Sequence, residues 1–316
     1  MALLVALALA AYFVFRTPRF TSVPHPARDY REAMAKFAAM EKAETLLPIL
    51  HEGRSRIFTH GRKTERAFVL LHGLTNCPEQ FVPLARLLFQ SGANVVIPRA
   101  RYAGYADPMN DVQGLQSGQD LLDQAAEGLD IAAGLGSRVS IVGLSGSAVA
   151  AAWMAENREG IDSALLLAPF FGLNGHQVWT IDALAAVLTR LPNSYKWWDD
   201  TLKEKNPGPP YAYPRYGTFC MADTIQLSRN VRSDINKPLK AGRLTIVTTG
   251  TEQGANNSLT NQLVVDWEDV NPGRVDSYEF PEKDGVPHDM VDPHQPDQKT
   301  KISYPKILEL LGVPRR

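Results

Sequence analysis

At 316 residues, with 44% hydrophobic and 21% charged side chains, the chain reads as an ordinary globular protein able to bury a large core. Its 33 basic and 34 acidic residues leave a formal charge of −1, which gives no reason to expect a nucleic-acid partner. Two cysteines, Cys77 and Cys220, exclude a disulfide framework or a four-cysteine zinc site; they read as free thiols, with a single bridge as the alternative.

The first element is the uncharged run 2–15, ALLVALALAAYFVF, followed by Arg16, Arg19, Arg28 and Arg31. As a helix it rises about 21 Å, short of the ~30 Å hydrocarbon core. Within a terminal unit 1–20 it is expected to be an uncleaved membrane anchor. The basic flank then leaves the rest of the chain in the cytoplasm. A secretory signal cut near Ala8-Leu9-Ala10, giving a secreted or periplasmic protein, is the alternative. Residues 29–47 combine good helix formers with apolar residues at helical spacing, so a linker helix is expected within 21–55.

From residue 67 onward, short apolar runs alternate with helical patterns. Strands are expected at 67–73, 93–100, 138–144, 162–170, 243–250 and 274–281, and helices near 79–90, 117–133, 148–157 and 259–268. Unbroken apolar strands separated by helices imply a parallel sheet covered on both faces, an α/β fold. The rhythm breaks between 172 and 238, where two helical pieces (183–191 and 221–231) flank the aromatic stretches SYKWWDD and NPGPPYAYPRY. An insertion of that length reads as a lid or binding loop. It divides the core into 56–171 and 239–316.

The strand at 138–144 runs into Gly143-Leu144-Ser145-Gly146-Ser147, where one serine sits among residues with almost no side chain. A sharp strand-to-helix turn presses its second residues on either side against each other and the sheet, so Gly143 and Ser147 must be small. Ser145 then projects above the sheet edge as a candidate nucleophile, and the Gly146 N–H is free to hold an oxyanion. Leu70-Leu71-His72-Gly73-Leu74-Thr75 ends a neighbouring strand and can bring the Leu74 N–H opposite that of Gly146. His72 is expected to brace this loop rather than react.

A serine hydroxyl needs a base, and His288 follows the last strand in EKDGVPHDMVDPHQPD. His294 belongs to the loop entering the last helix. The acid that orients His288 is expected after the strand at 243–250, where Glu252 is the only carboxylate; Asp284 and Asp289 are second choices. His288, Asp289, Asp292 and His294 lie among prolines awkward for a compact ligand set, so no metal and no cofactor are expected.

The order Ser145, Glu252, His288, with His72-Gly73 upstream, resembles the α/β-hydrolase superfamily over 56–311. LLHGLTNCPEQFVPLARLL and IPRARYAGYAD are similar to its bacterial carboxylesterase and monoacylglycerol-lipase-like branch. The resemblance implies an α/β-hydrolase fold with a lid at the insertion, Ser145 as nucleophile, His288 as base, Glu252 as acid, and the N–H groups of Leu74 and Gly146 as oxyanion donors. It departs from the common pattern in having Ser147 for glycine and Glu252 for aspartate. The implied activity is hydrolysis of a small-molecule acyl ester. Acyl transfer, thioester cleavage and ligand binding without catalysis are the alternatives. Phe170, Phe171, Trp179, Trp197, Trp198, Tyr211 and Tyr213 are the candidates for an apolar acyl pocket.

Overall fold

The computed structural model describes residues 15–313. The expected anchor at 2–15 therefore lies almost wholly outside the described residues, and among those described no helix is long and apolar enough to cross a membrane.

Helix α1 (Tyr30–Glu44) starts where Asp29 caps the Glu32 N–H at 2.8 Å; it falls within the 21–55 segment read as a linker, but Ala33 and Phe37 pack it into the core of the domain. The central sheet follows: β1 (Arg56–Phe58), β2 (Thr64–Leu71), β3 (Asn94–Ile97), β4 (Gly136–Leu144), β5 (Ser163–Leu167), then β8 (Arg243–Thr249) and β9 (Val275–Phe280). Its order is β1-β3-β2-β4-β5-β8-β9, parallel throughout except for β1, which runs antiparallel on the edge. All six expected strands are present. The edge strand β1 was missed, because three residues carry no readable alternation.

Side chains alternate across the sheet as the strand period demands. From β2, Ala67, Val69 and Leu71 face one core and Phe68 and Leu70 the other. The first core packs against α3 (Gly118–Leu135), α4 (Gly146–Asn157) and α7 (Asn257–Val270). The second packs against α2 (Val82–Gln90) and α8 (Thr300–Leu310). Both faces are covered, which is why the strands read as near-continuous apolar runs.

The insertion contributes α5 (Val178–Leu188), a two-stranded antiparallel ribbon of β6 (Tyr195–Trp197) and β7 (Arg215–Gly217), and α6 (Thr218–Asp234). The ribbon was not expected. Nor does the segment stand apart along its whole length, since Leu227, Val231 and Ile235 enter the first core. A smaller cluster of Phe170, Ile181, Ala185, Ala222, Ile225 and Ala255 joins the rest of it to the end of β5 and the loop after β8.

Candidate active site

β4 ends at Leu144 and α4 begins at Gly146, so Ser145 alone makes the turn, at φ 58° and ψ −119°. A non-glycine residue there stores strain on the order of 1–3 kcal/mol, which the surroundings must offset. Its N–H donates to the Leu167 carbonyl at 2.9 Å, and its own carbonyl accepts from the Ala148 and Phe170 N–H groups at 3.1 and 3.2 Å. The small neighbours are required: a Cβ on Gly143 would lie 2.6 Å from the Ser147 carbonyl oxygen, and one on Gly146 would lie 2.6 Å from Leu74 Cγ. Ser147, where glycine is commoner, uses its hydroxyl to donate to the His72 carbonyl at 2.6 Å. The extra atom is accommodated because it joins the turn to the next loop.

That loop leaves β2, adjacent to β4 in the sheet. His72 is buried, and its Nε2 accepts from the Ala100 N–H at 3.1 Å, so the proton sits on Nδ1 and is donated to the Gly73 carbonyl at 3.0 Å. Burial holds its pKa down at about 4, outweighing the bond to Gly73, so the ring is neutral over the working range. His72 braces the loop, as expected. The Gly73 carbonyl also accepts from the Asn76 N–H at 3.3 Å. It shares a peptide plane with the Leu74 N–H, so fixing the one aims the other.

His288, beyond the end of β9, and Glu252, beyond the end of β8, come together with Nδ1 2.5 Å from Oε2. The Glu252 side chain is 3% exposed and His288 is 38% exposed. Glu252 Oε1 accepts from the Gly254 and Ala255 N–H groups at 2.8 and 2.9 Å, which fixes the longer acid. Burial raises the Glu252 pKa, but His288 and those N–H groups more than offset it, leaving a net shift below 4.5. For His288 desolvation lowers the value, while Glu252 and then Asp289 raise it to a net position above 6.5. The two loops are also tied by Thr249 and Thr251, whose hydroxyls donate to the Val286 carbonyl at 2.6 and 2.5 Å.

The second-choice acid Asp289 is turned elsewhere. Its Oδ2 accepts from Gln80 Nε2 at 2.8 Å, and Gln80 Oε1 in turn accepts from the Gly73 N–H at 2.8 Å. Burial and Asp292 push the Asp289 pKa up to about 6 against the opposing bond from Gln80. Asp284 lies in a short 3-10 turn after β9, and the bond that His288 Nδ1 makes is to Glu252. His294 donates its backbone N–H to Asp292 Oδ1 at 2.9 Å, and its ring contacts Asp292 and the Tyr211 hydroxyl. The ligating side chains of the 288–294 segment are thus committed to partners of their own. Among the described residues no group of three or more His, Cys, Asp and Glu is placed to hold a metal. Cys77 and Cys220 are buried and unbridged.

Ser145, His288, Glu252 and Leu74 all line one cavity of about 780 Å³, and Gly146 adjoins it beneath the Leu74 side chain. Of the aromatic candidates, Phe170, Trp198 and Tyr213 line it. Phe171 does not; it is fully buried against Trp267, the ring centroids 5.8 Å apart, because successive residues leaving a strand point to opposite sides. Tyr211 is held by its hydroxyl to the buried Asp292 at 3.0 and 3.1 Å. Trp197, on β6, is not among the cavity-lining residues, and Trp179 is 72% exposed. Sequence reading missed Gln80, Thr75 and Asp289 as parts of this network. Their only signal was their position in the loops beside His72 and His288.

No model of a known protein family matches the chain, and no curated protein matches it. Among solved structures it superposes on the monoacylglycerol lipase of Paleococcus ferrophilus with a TM-score of 0.62, at 17% identity, over 81% of this chain and 97% of that one. The chain has the α/β-hydrolase fold. A soluble variant of the monoglyceride lipase from Saccharomyces cerevisiae, in complex with a substrate analog, is similar at a TM-score of 0.62 and 13% identity, over 81% and 88% of the two chains. The strand-to-helix turn at 143–147 leaves the end of β4, and Glu252 and His288 lie beyond the ends of β8 and β9.

Proposed function

We propose that this protein is a serine hydrolase that cleaves carboxylic acyl esters through Ser145, His288 and Glu252. The observation that carries the reading is the strained Ser145 above the end of β4, in one cavity with an imidazole whose far nitrogen is already engaged by a carboxylate. His288 Nε2 takes the hydroxyl proton as Ser145 Oγ attacks the ester carbonyl. The oxyanion is received by the N–H groups of Leu74 and Gly146, while Glu252 stabilises the imidazolium. Collapse breaks the ester C–O bond, and the alcohol leaves with the proton from His288. Water then repeats the two steps on the acyl-enzyme and releases the acid.

The insertion 172–238 acts as a lid, and Phe170, Trp198 and Met221 supply apolar walls for the acyl chain. The monoacylglycerol lipase likeness and the apolar run at 2–15 both favour ester substrates that partition into lipid, with the chain held at a membrane.

The test is hydrolysis of p-nitrophenyl esters across acyl lengths by the protein lacking residues 1–20 and by its Ser145→Ala variant. The proposal expects activity that rises with acyl length beyond acetate and falls about 10⁶-fold in the variant. Equal rates from the two proteins contradict it. Activity confined to the shortest esters contradicts the lipid-substrate part alone.

A further inference from the structure

Thr75 lies two residues beyond Gly73, in a four-residue turn closed by the Asn76 N–H on the Gly73 carbonyl. Its φ is +62°. A positive φ at the third residue of such a turn is the place for glycine, and a β-branched residue adopts it only where its surroundings impose it. The imposing groups come from the insertion. Trp198 Nε1 donates to the Thr75 hydroxyl at 2.9 Å, and the Tyr213 N–H donates to the Thr75 carbonyl at 2.8 Å. The same hydroxyl passes its own proton to the Leu74 carbonyl at 2.6 Å.

Each of these anchors is itself held. The Trp198 ring packs on Tyr216 with centroids 4.4 Å apart, and the backbone N–H of Trp198 donates to the Pro214 carbonyl at 3.1 Å. The Tyr213 hydroxyl accepts from the Tyr105 N–H at 2.8 Å. The ribbon of β6 and β7 and the stretch leading into it thus grip the hydroxyl and the carbonyl of one strained residue. That residue is 8% exposed, and it follows directly after Leu74, whose side chain lies against Gly146 of the turn that carries Ser145.

We propose that Trp198 and Tyr213 are positioning residues: by clamping Thr75 in its left-handed conformation they aim the Leu74 N–H at the oxyanion, so that the seat of the insertion sets the catalytic competence of the site. This rests on the ester-hydrolase reading for its consequence but not for the clamp itself. Without the clamp, Thr75 relaxes toward negative φ, the Gly73–Asn76 turn opens and the Gly73–Leu74 peptide is free to rotate. Because the donor acts on charge that develops only in the transition state, its loss falls on kcat rather than on KM.

The experiment uses Trp198→Phe, which keeps an aromatic ring on Tyr216 and deletes the N–H, together with Thr75→Val and the double variant. Amide hydrogen exchange read by mass spectrometry on peptides spanning 73–77 is expected to quicken by about tenfold or more in Trp198→Phe, with the β4 and β5 peptides unchanged. On a p-nitrophenyl ester, kcat is expected to fall about tenfold at nearly constant KM in each single variant. The double variant is expected to fall no further than Thr75→Val alone, since that change already removes the hydroxyl that Trp198 holds, together with its bond to the Leu74 carbonyl. Unchanged exchange at 73–77 overturns the clamp. Faster exchange with only KM altered, or with fully additive losses in the double variant, overturns the positioning role and leaves Trp198 as a wall of the cavity. Wild-type protein that neither hydrolyses esters nor is labelled by a fluorophosphonate refutes the hydrolase reading, while the exchange comparison still decides the clamp.

Discussion

The Ser147 hydroxyl donates to the His72 carbonyl at 2.6 Å, joining the turn that carries Ser145 to the loop that carries Leu74. Both ends are buried, so removing the donor leaves a carbonyl short of a partner. Ser147→Gly is expected to lower stability by about 1–2 kcal/mol and kcat by several-fold. Urea denaturation and steady-state kinetics read the two effects, and a variant as stable as wild type shows the bond to be dispensable.

Gly146 has no room for a side chain because Leu74 lies against it. Gly146→Ala sets a methyl group into the Leu74 side chain and displaces the loop, with kcat expected to fall about 10²-fold or more. In the double variant Gly146→Ala/Leu74→Ala the clash is gone, and at least tenfold of that loss is expected to return. No recovery in the double variant places the damage in the turn itself.

The proposed mechanism needs His288 neutral, and its pKa is raised above 6.5 despite desolvation, because Glu252 holds the imidazolium. The pH profile of kcat/KM is therefore expected to rise through a midpoint above 6.5. In Glu252→Gln the opposing desolvation is left without the carboxylate, so the midpoint moves down while the rate falls about 10²–10⁴-fold. The contribution of the pair to stability carries both signs. The His288 part is complete below 6.5 and is lost as pH rises through its folded value, whereas the Glu252 part is complete above 4.5 and is lost on acidification. A midpoint unmoved in Glu252→Gln contradicts this assignment.

His72 is neutral in the folded chain, with its pKa held down at about 4 against an ordinary 6.5. A depressed value gives stability that is present above 6.5 and lost as pH falls through about 4, on the order of 3 kcal/mol over that span. Asp289, raised to about 6, contributes an opposite slope at the acid end of the range, so the wild-type curve alone mixes the two. His72→Gln keeps a polar side chain in the loop without the titration, and thermal melts from pH 7 to 4.5 are expected to show a flatter decline for it than for wild type. Parallel curves refute the account.

Much of this was legible because it rested on local necessity. Unbroken runs such as AFVLL and VSIVGL can only be buried strands, and Gly143, Gly146 and Ser147 are small because the turn at Ser145 leaves no space. What escaped was decided by partners far along the chain. Tyr211 and Tyr213 look alike in sequence, yet one is taken by Asp292 and the other reaches Tyr105 and Thr75. Phe170 and Phe171 part to opposite sides of the chain as it leaves β5. β6 and β7 pair only with each other, so YKW and RYG carry no buried run to betray them. α6 reads as part of an insertion because nothing local announces that Leu227 and Val231 complete the core beneath α4.

The most direct test of the central claim is the reaction of the protein with a fluorophosphonate, followed by mass and peptide mapping, beside Ser145→Ala and His288→Ala. A single adduct on Ser145, absent in the first variant and formed about 10³-fold or more slowly in the second, is the predicted result. An adduct on another residue that survives Ser145→Ala, or none at all on folded protein, contradicts the account.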